Sequence, residues 1–381
     1  QAMWFRSRIQ WTKVQFGSAR FSRRDACHMA DWFHNLFGFS ERSRGYKGTR
    51  DNFEYDARTG MLTSKAKTDR AFVAGKFEVP SLEQLRERVD LLEATKMLGC
   101  DGGLQVKEVC SDVTKLHKEP ENRGALFLAA SQFNALEHTS QHGLPEHGIT
   151  CYSSDRTQGP ACATACAAGT IVRNYFAFPD GQGQTKERQV LNLEEVEAVL
   201  DNAKHGYFHV QSGYTMANPA DLRKLTAALA GNEELKEVVR SKLRIGVQWD
   251  TEVVTWAFGD RLYPGAPGEQ IITQVYASAV SVSYSRCMAS DWMEFASLIL
   301  DAAYEATLYI AVENALRNPD VPGSKKVFLT ALGGGVFGNE MSWIQSALEK
   351  AFTKFEAVGL DVTLVSYGGP TPEFQQLLRT S

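Results

Sequence analysis

Residues 327–339, VFLTALGGGVFGN, place the tightest limit on what this chain can fold into. An apolar strand-forming run, Val327–Thr330, enters a turn holding Gly333, Gly334, Gly335 and Gly338, and a helix-forming run, Glu340–Phe355, follows. Glycines let the backbone take conformations closed to other residues and come close to a ligand. The first-turn N–H groups of a following helix lack intrahelical partners and favour an anion such as a phosphate. The letters also satisfy G-x-G-x-x-G, the dinucleotide fingerprint. That fold needs further strands and an acidic residue after the glycines, whereas one strand-like run, Asp361–Tyr367, and a short tail remain before Ser381. No Lys-Ser or Lys-Thr follows the glycines, so the Walker pattern fails as well. A phosphate-binding turn of another kind is expected.

The rest of the chain suits an α/β sheet covered by helices. Its 381 residues are 43% apolar and 23% charged, as for a globular protein with a full core. The net charge of -4 argues against a large nucleic-acid-binding surface. No apolar run reaches the roughly 18 residues that a membrane span needs. Seven cysteines without framework spacing point to a reducing compartment, and so to an intracellular, cytoplasmic setting. The stretch 1–24 has no acidic residue and is rich in Arg, Lys and aromatics. It reads as a basic surface arm or the remnant of an organellar transit sequence.

In chain order, a short amphipathic helix ends at Gly38, Glu41–Arg50 reads as a polar loop, and Phe53–Tyr55, Met61–Thr63 and Phe72–Phe77 read as strands. Ser81 caps a helix, and residues 1–99 form an N-terminal extension packed on a main domain of 100–381. Leu104–Val109 alternates like a half-buried strand, and Gly124–Ala130 is a continuous apolar run, as in a strand buried on both faces. A polar loop, Gln132–Thr157, precedes a small-residue helix, Ala161–Asn174. Residues 180–243 read as a helical insertion. Strands are expected at Arg244–Gln248, Val253–Phe258 and from Ile271, then a long helix, Asp291–Leu316.

Within that helix, Tyr304, Leu308 and Ala311 precede the strand Val327–Thr330 and then Gly335-Val336-Phe337-Gly338. This order resembles the C-terminal half of a macrodomain, the ADP-ribose-binding fold. There a Tyr-x-x-x-Leu-x-x-Ala helix precedes a strand and a diphosphate loop of the form G-[IV]-[FY]-G. In the first half, Val109–Thr114 resembles the family's strand ending in Gly-Asp-Ile-Thr, with Ser111 replacing the glycine. Phe127–Asn134, FLAASQFN, stands where the family has Val-Asn-Ala-Ala-Asn, with a different asparagine spacing. The Gly-Gly-Gly-Val first loop is absent, and Thr157-Gln158-Gly159-Pro160-Ala161 is its nearest stand-in. The resemblance covers 104–176 and 271–368. It implies a divergent macrodomain, a three-layer α/β/α fold with a mixed central sheet.

The resemblance also implies a site. Asp112 and Val113 would meet the adenine, Thr157, Gln158, Gly159 and Pro160 would form the first loop, and Gly333, Gly334, Gly335, Val336, Phe337, Gly338 and Asn339 the diphosphate loop. Phe337 and Tyr367 would flank ribose and adenine. Cleaving an ADP-ribosyl bond passes through an oxocarbenium-like ribose, which a carboxylate or a positioned water assists. Gln132, Asn134, Glu137 and Asp155 are the catalytic candidates beside the distal ribose. Gln248–Glu252 offers a further carboxylate or a ring, Trp249. The expected activity is an ADP-ribosyl hydrolase acting on ADP-ribosylated protein side chains, arginine-linked ones included, with ADP-ribose as ligand and no cofactor. The alternatives are a non-catalytic ADP-ribose-binding module and a metal-dependent hydrolase using His138, His142 and His147. The last is weak, because Gly143, Pro145 and Gly148 break the helix that would align those rings.

Overall fold

The computed structural model describes residues 31–98 and 103–380, so the basic stretch 1–24 lies outside the described residues. The central sheet has seven strands: β1 (Lys76–Glu78), β2 (Gln105–Cys110), β3 (Leu126–Ala130), β4 (Gly246–Glu252), β5 (Ile271–Ala277), β6 (Lys326–Leu329) and β7 (Asp361–Ser366). Their order is β1-β4-β5-β3-β6-β7-β2. The run from β5 to β2 is parallel, while β4 lies antiparallel to β5 and β1 antiparallel to β4. The sheet is mixed, as expected.

Strand β3 shows how the apolar pattern sets the layers. Leu126 and Leu128 enter one core with α4 (Ala289–Arg317) and α5 (Met341–Phe355). Ala125, Phe127 and Ala129 enter another with residues of α1 (Val113–Lys118) and α2 (Gln158–Ala165). Successive strand side chains point to opposite faces, so a strand apolar at every position must be covered on both. That makes three layers. Helix α4 is long and apolar enough by composition to cross a membrane, and most of that window is buried inside the fold.

Several elements differ from expectation. Glu41–Asp51 is a helix, not a loop, broken at Gly45 (φ 63°), and Glu41 is buried beneath the 148–154 segment. The run Phe72–Phe77 splits after Val73, because Gly75 turns with φ 75° so close to Trp249 O that a Cβ would lie 1.7 Å from it. Its first half pairs in a three-stranded sheet with Phe53–Asp56 and Met61–Ser64, and its second half is β1. The small-residue helix breaks at Cys166 into α2 and α3 (Ala167–Tyr175). The strand expected over Val253–Phe258 shrinks to Thr255–Trp256, since Ala257 and Phe258 have positive φ. A last helix, α6 (Pro372–Thr380), was not expected. Residues 180–243 supply helices Glu194–Val199, Pro219–Leu229 and Glu233–Lys242 and a hairpin, His209–Gln211 with Tyr214–Met216.

Candidate active site

The five parallel strands end along one edge of the sheet. A cleft of about 540 Å³ opens there, lined by residues that follow β2, β3, β5, β6 and β7. Ligands of open α/β sheets bind outside the carboxyl ends of the strands, in clefts of this size.

The glycine turn after β6 forms one wall. Within it Gly334 N donates to Ala331 O (3.1 Å), Gly338 N to Gly335 O (3.1 Å) and Asn339 N to Gly333 O (3.0 Å). The N–H groups of Gly333, Gly335, Val336 and Phe337 have no protein acceptor among the described residues. All four residues line the cleft. Successive unpaired N–H groups form a concavity that suits an anion. Helix α5 begins only at Met341, so these loop groups, and not the helix's first turn, are the donors. Gly338 and Asn339 also depart from expectation, because they fasten the loop from behind. Asn339 Nδ2 donates to Val280 O (2.8 Å), and Gly338 passes so near Ser283 Oγ that a Cβ would lie 2.1 Å from it. Tyr304 holds the loop's root, donating to Thr330 O and accepting from Leu332 N, both at 2.8 Å.

The facing wall is the start of α2. Thr157, Gln158, Gly159 and Pro160 all line the cleft. The Gln158 side chain bonds to β3 instead: Ala130 N donates to its Oε1 (2.8 Å) and its Nε2 donates to Leu128 O (2.7 Å). What α2 offers is the backbone of its first turn, where Gln158 N and Gly159 N have no protein acceptor among the described residues. Gly159 lies so close to β3 that a Cβ would sit 1.8 Å from Ala130 O.

Asp112 lies at one end of the cleft and caps α1, its Oδ1 accepting from Thr114 N and Thr114 Oγ1, each at 2.8 Å. No protein group among the described residues bonds to its other oxygen. Val113 lines the cleft beside it, and Tyr367, exposed by 83%, stands at the rim.

The four catalytic candidates separate. Asp155 lines the cleft; its Oδ1 accepts from Thr157 N (2.8 Å) and Thr157 Oγ1 (2.7 Å), and its second oxygen is unpaired among the described residues. Glu137 also borders the cleft, but it is buried against Arg173, whose Nη1 lies 3.1 Å from its Oε1, and it accepts from Ser131 Oγ (3.1 Å). Burial pushes its carboxyl up to about 6 against the pull of Arg173. The Arg173 guanidinium stacks 3.4 Å from the Tyr276 ring centroid. Gln132 spends both ends of its amide on the His138 backbone, at 2.9 and 3.1 Å. Asn134 is a correction: it is fully buried off the cleft, accepting from Leu136 N (3.1 Å) and donating to Gln189 Oε1 (2.9 Å). Its amide shapes the loop.

The histidines do not converge either. His138 is buried on the cleft wall, while His142 and His147 are exposed. Among the described residues no group of three possible ligands could hold a metal ion. In β4, Glu252 faces away from the cleft in a bidentate pair with Arg70 (2.7 Å), and the Trp249 indole donates to Glu78 Oε1 (2.8 Å).

Four aromatic residues of the cleft, Tyr214, Phe258, Tyr284 and Phe374, escaped the sequence reading. Tyr214, from the 209–216 hairpin, packs on Tyr284 (centroids 4.9 Å) and Phe337 (5.3 Å), and its hydroxyl donates to His138 O (2.7 Å). Burial raises the pKa of both tyrosine hydroxyls, and the Asp155 charge adds a smaller upward push. Phe258 lines the cleft with the Arg156 guanidinium 4.7 Å from its ring centroid. A Ser-Gly turn between two extended triplets at 212–213 was the available signal for Tyr214; none pointed to Tyr284.

No protein-family model matches the sequence, and neither does any curated protein. Among solved structures it is similar to poly(ADP-ribose) glycohydrolase from Deinococcus radiodurans in complex with ADP-ribose, at 11% identity over 80% of this chain and 94% of that chain, TM-score 0.44. It is also similar to poly(ADP-ribose) glycohydrolase from Thermomonospora curvata bound to the inhibitor ADP-HPD, at 12% identity over 87% of this chain and 95% of that chain, TM-score 0.41. Likeness at this level transfers neither fold nor activity, which rest on the chain's own residues.

Proposed function

We propose that the chain binds ADP-ribose in this cleft and hydrolyses the bond that joins it to a modified protein side chain. One observation carries the reading. Four unpaired N–H groups of the glycine turn face the first-turn N–H groups of α2 across a cleft with a carboxylate toward either end. The diphosphate sits between the two walls, the adenine amino group donates to the unpaired oxygen of Asp112, and the distal ribose lies by Asp155. As the bond from the anomeric carbon to the side-chain atom breaks and positive charge develops on the ribose, water attacks that carbon, and Asp155 takes the water's proton and passes it to the departing side-chain atom. Glu137, with Arg173, Ser131 and Thr170, holds the intervening loop in shape. The linkage is to a basic group, arginine included, because the Asp155 carboxylate and the Tyr284 and Phe337 rings line one cleft, a combination that favours a cation.

A second reading, binding without turnover, rests on Glu137, whose two oxygens are already occupied and which leaves Asp155 alone. The readings separate in one experiment. Calorimetry with ADP-ribose, ADP, AMP and NAD is combined with mass-spectrometric incubation on proteins modified at arginine, serine or glutamate. Preference for ADP-ribose with release from arginine supports the hydrolase. Preference without release from any linkage selects the reader. No preference for ADP-ribose sinks both.

A further inference from the structure

A second cavity, of about 90 Å³, shares no lining residue with the cleft. The strand Lys67–Val73 and residues 262–267 border it, and Leu36, Val253, Val254 and Pro267 give it an apolar wall. Its charged lining residues are Lys67, Arg70 and Glu252. The Glu252 carboxylate is fully occupied within the protein. Its Oε1 accepts from Val73 N (3.0 Å), its Oε2 from Gly268 N (2.9 Å), and both from Arg70 Nη2 (2.7 Å). Arg70 is not. Its Nε is buried without a partner, and its Nη1 bonds to no protein acceptor among the described residues. The guanidinium carbon lies 4.1 Å from the Phe72 ring centroid, a stacking contact that fixes the plane of the group. Lys67 Nζ donates to Asn35 O (3.2 Å) and has further N–H groups free. Two cations thus face one saturated carboxylate, and the pocket is short of negative charge.

The wall opposite is held in place. Tyr263 N donates to Val254 O (2.9 Å), Val253 N to Gln270 O (2.9 Å) and Ala266 N to Glu269 Oε2 (2.8 Å). Glu269, occupied in this way, does not line the pocket. A carboxylate matches the fork of a guanidinium with parallel hydrogen bonds. An aliphatic wall favours a hydrocarbon tail behind it over a second charged group. We infer that the pocket binds a short-chain carboxylate of about six heavy atoms or fewer, its head on Arg70 and Lys67 and its tail on Leu36, Val253 and Val254. This site is independent of the ADP-ribose reading.

The test titrates the full chain with sodium propionate at constant ionic strength and follows the methyl signals of Leu36, Val253 and Val254 by NMR. These signals should shift with a dissociation constant of about 1 mM, and propionamide, the neutral isostere, should leave them in place. Arg70→Lys keeps a cation for Glu252 but loses the fork, and should weaken propionate about tenfold or more. Lys67→Met leaves the Arg70–Glu252 pair intact and should weaken it about threefold. Melting temperatures show whether each variant is folded; if Arg70→Lys is not, Lys67→Met decides. Propionate that moves none of the three residues' methyls, propionamide that moves them equally, or wild-type propionate affinity in Lys67→Met overturns the inference.

Discussion

Replacing Glu41 by alanine should destabilise the fold by about 3–5 kcal/mol and loosen the segment that carries Asp155. Its carboxylate, 3% exposed, accepts from Ile149 N (3.0 Å), Thr150 N (2.6 Å), Thr150 Oγ1 and the Tyr175 hydroxyl (2.7 Å). Gly148 makes room for it, since a Cβ there would lie 2.3 Å from the Glu41 carboxyl carbon. A hydrogen bond to a charged acceptor contributes about 1.5–3 kcal/mol, and an orphaned buried donor costs a similar amount. The two hydroxyls can rotate toward water entering the void, so the two amides dominate the loss. Glu41→Gln keeps the shape but turns an NH2 toward a donor, and should cost roughly half as much. For a chain of this length the alanine variant should melt about 4–6 °C lower. Urea unfolding gives the free energy, and hydrogen exchange resolves where it acts, with amides 148–157 exchanging faster in the variant. A variant melting within about 1 °C of wild type, with those amides still protected, would refute the account of this clamp.

Asp155→Asn should lower the turnover of ADP-ribosylated peptide by about 100-fold or more with little change in ADP-ribose affinity by calorimetry; equal losses in both would assign the residue to binding. Gly159→Ala should abolish ADP-ribose binding, because the new methyl would meet Ala130 O at 1.8 Å and push the start of α2 off β3; a crystal structure with α2 in place would contradict this. His117 is wholly buried, its Nδ1 donating to Val113 O (2.8 Å) and its Nε2 accepting from Gln274 Nε2 (3.0 Å), and burial pushes it down to about 4. The unfolded chain binds a proton near pH 6.5 that the folded chain refuses until about pH 4, so stability is full above pH 6.5 and falls by roughly 3 kcal/mol toward pH 4. Urea unfolding at pH 7.5 and 5.0 measures this, and His117→Gln should flatten the dependence; an equal slope in the variant would exclude His117 as a source.

The sequence showed the elements better than the contacts. The apolar run of β3 announced a strand covered on both faces, and Ser81 caps its helix as its letters promised, with Gln84 completing a capping box. The glycine turn was legible because φ above zero at Gly333 and Gly338 leaves few other residues that fit. The failures concern where polar groups find partners. Gln132, Asn134 and Gln158 looked like ligand groups, yet each amide is used on backbone or on a neighbouring side chain. Helix Glu41–Asp51 was hidden because its buried carboxylate makes sense only beside amides 108 and 109 positions away. Tyr214 and Phe258 come from segments far along the chain, and no local pattern ties them to Asp112 or the glycine turn.

The cleft wall has a consequence for how binding responds to solution conditions. Among the described residues lining it, Arg156 is the single cation, set against Asp112, Glu137 and Asp155. An anionic ligand held there would be held by main-chain dipoles and not by lysine or arginine charge. Added salt screens exposed side-chain charge far more than short hydrogen bonds inside a cleft. Affinity should therefore change little between dilute and concentrated salt, unlike that of a phosphate site built from a basic patch. Such a site also leaves few marks in the side-chain letters, so its donors can persist while most of the residues around them change.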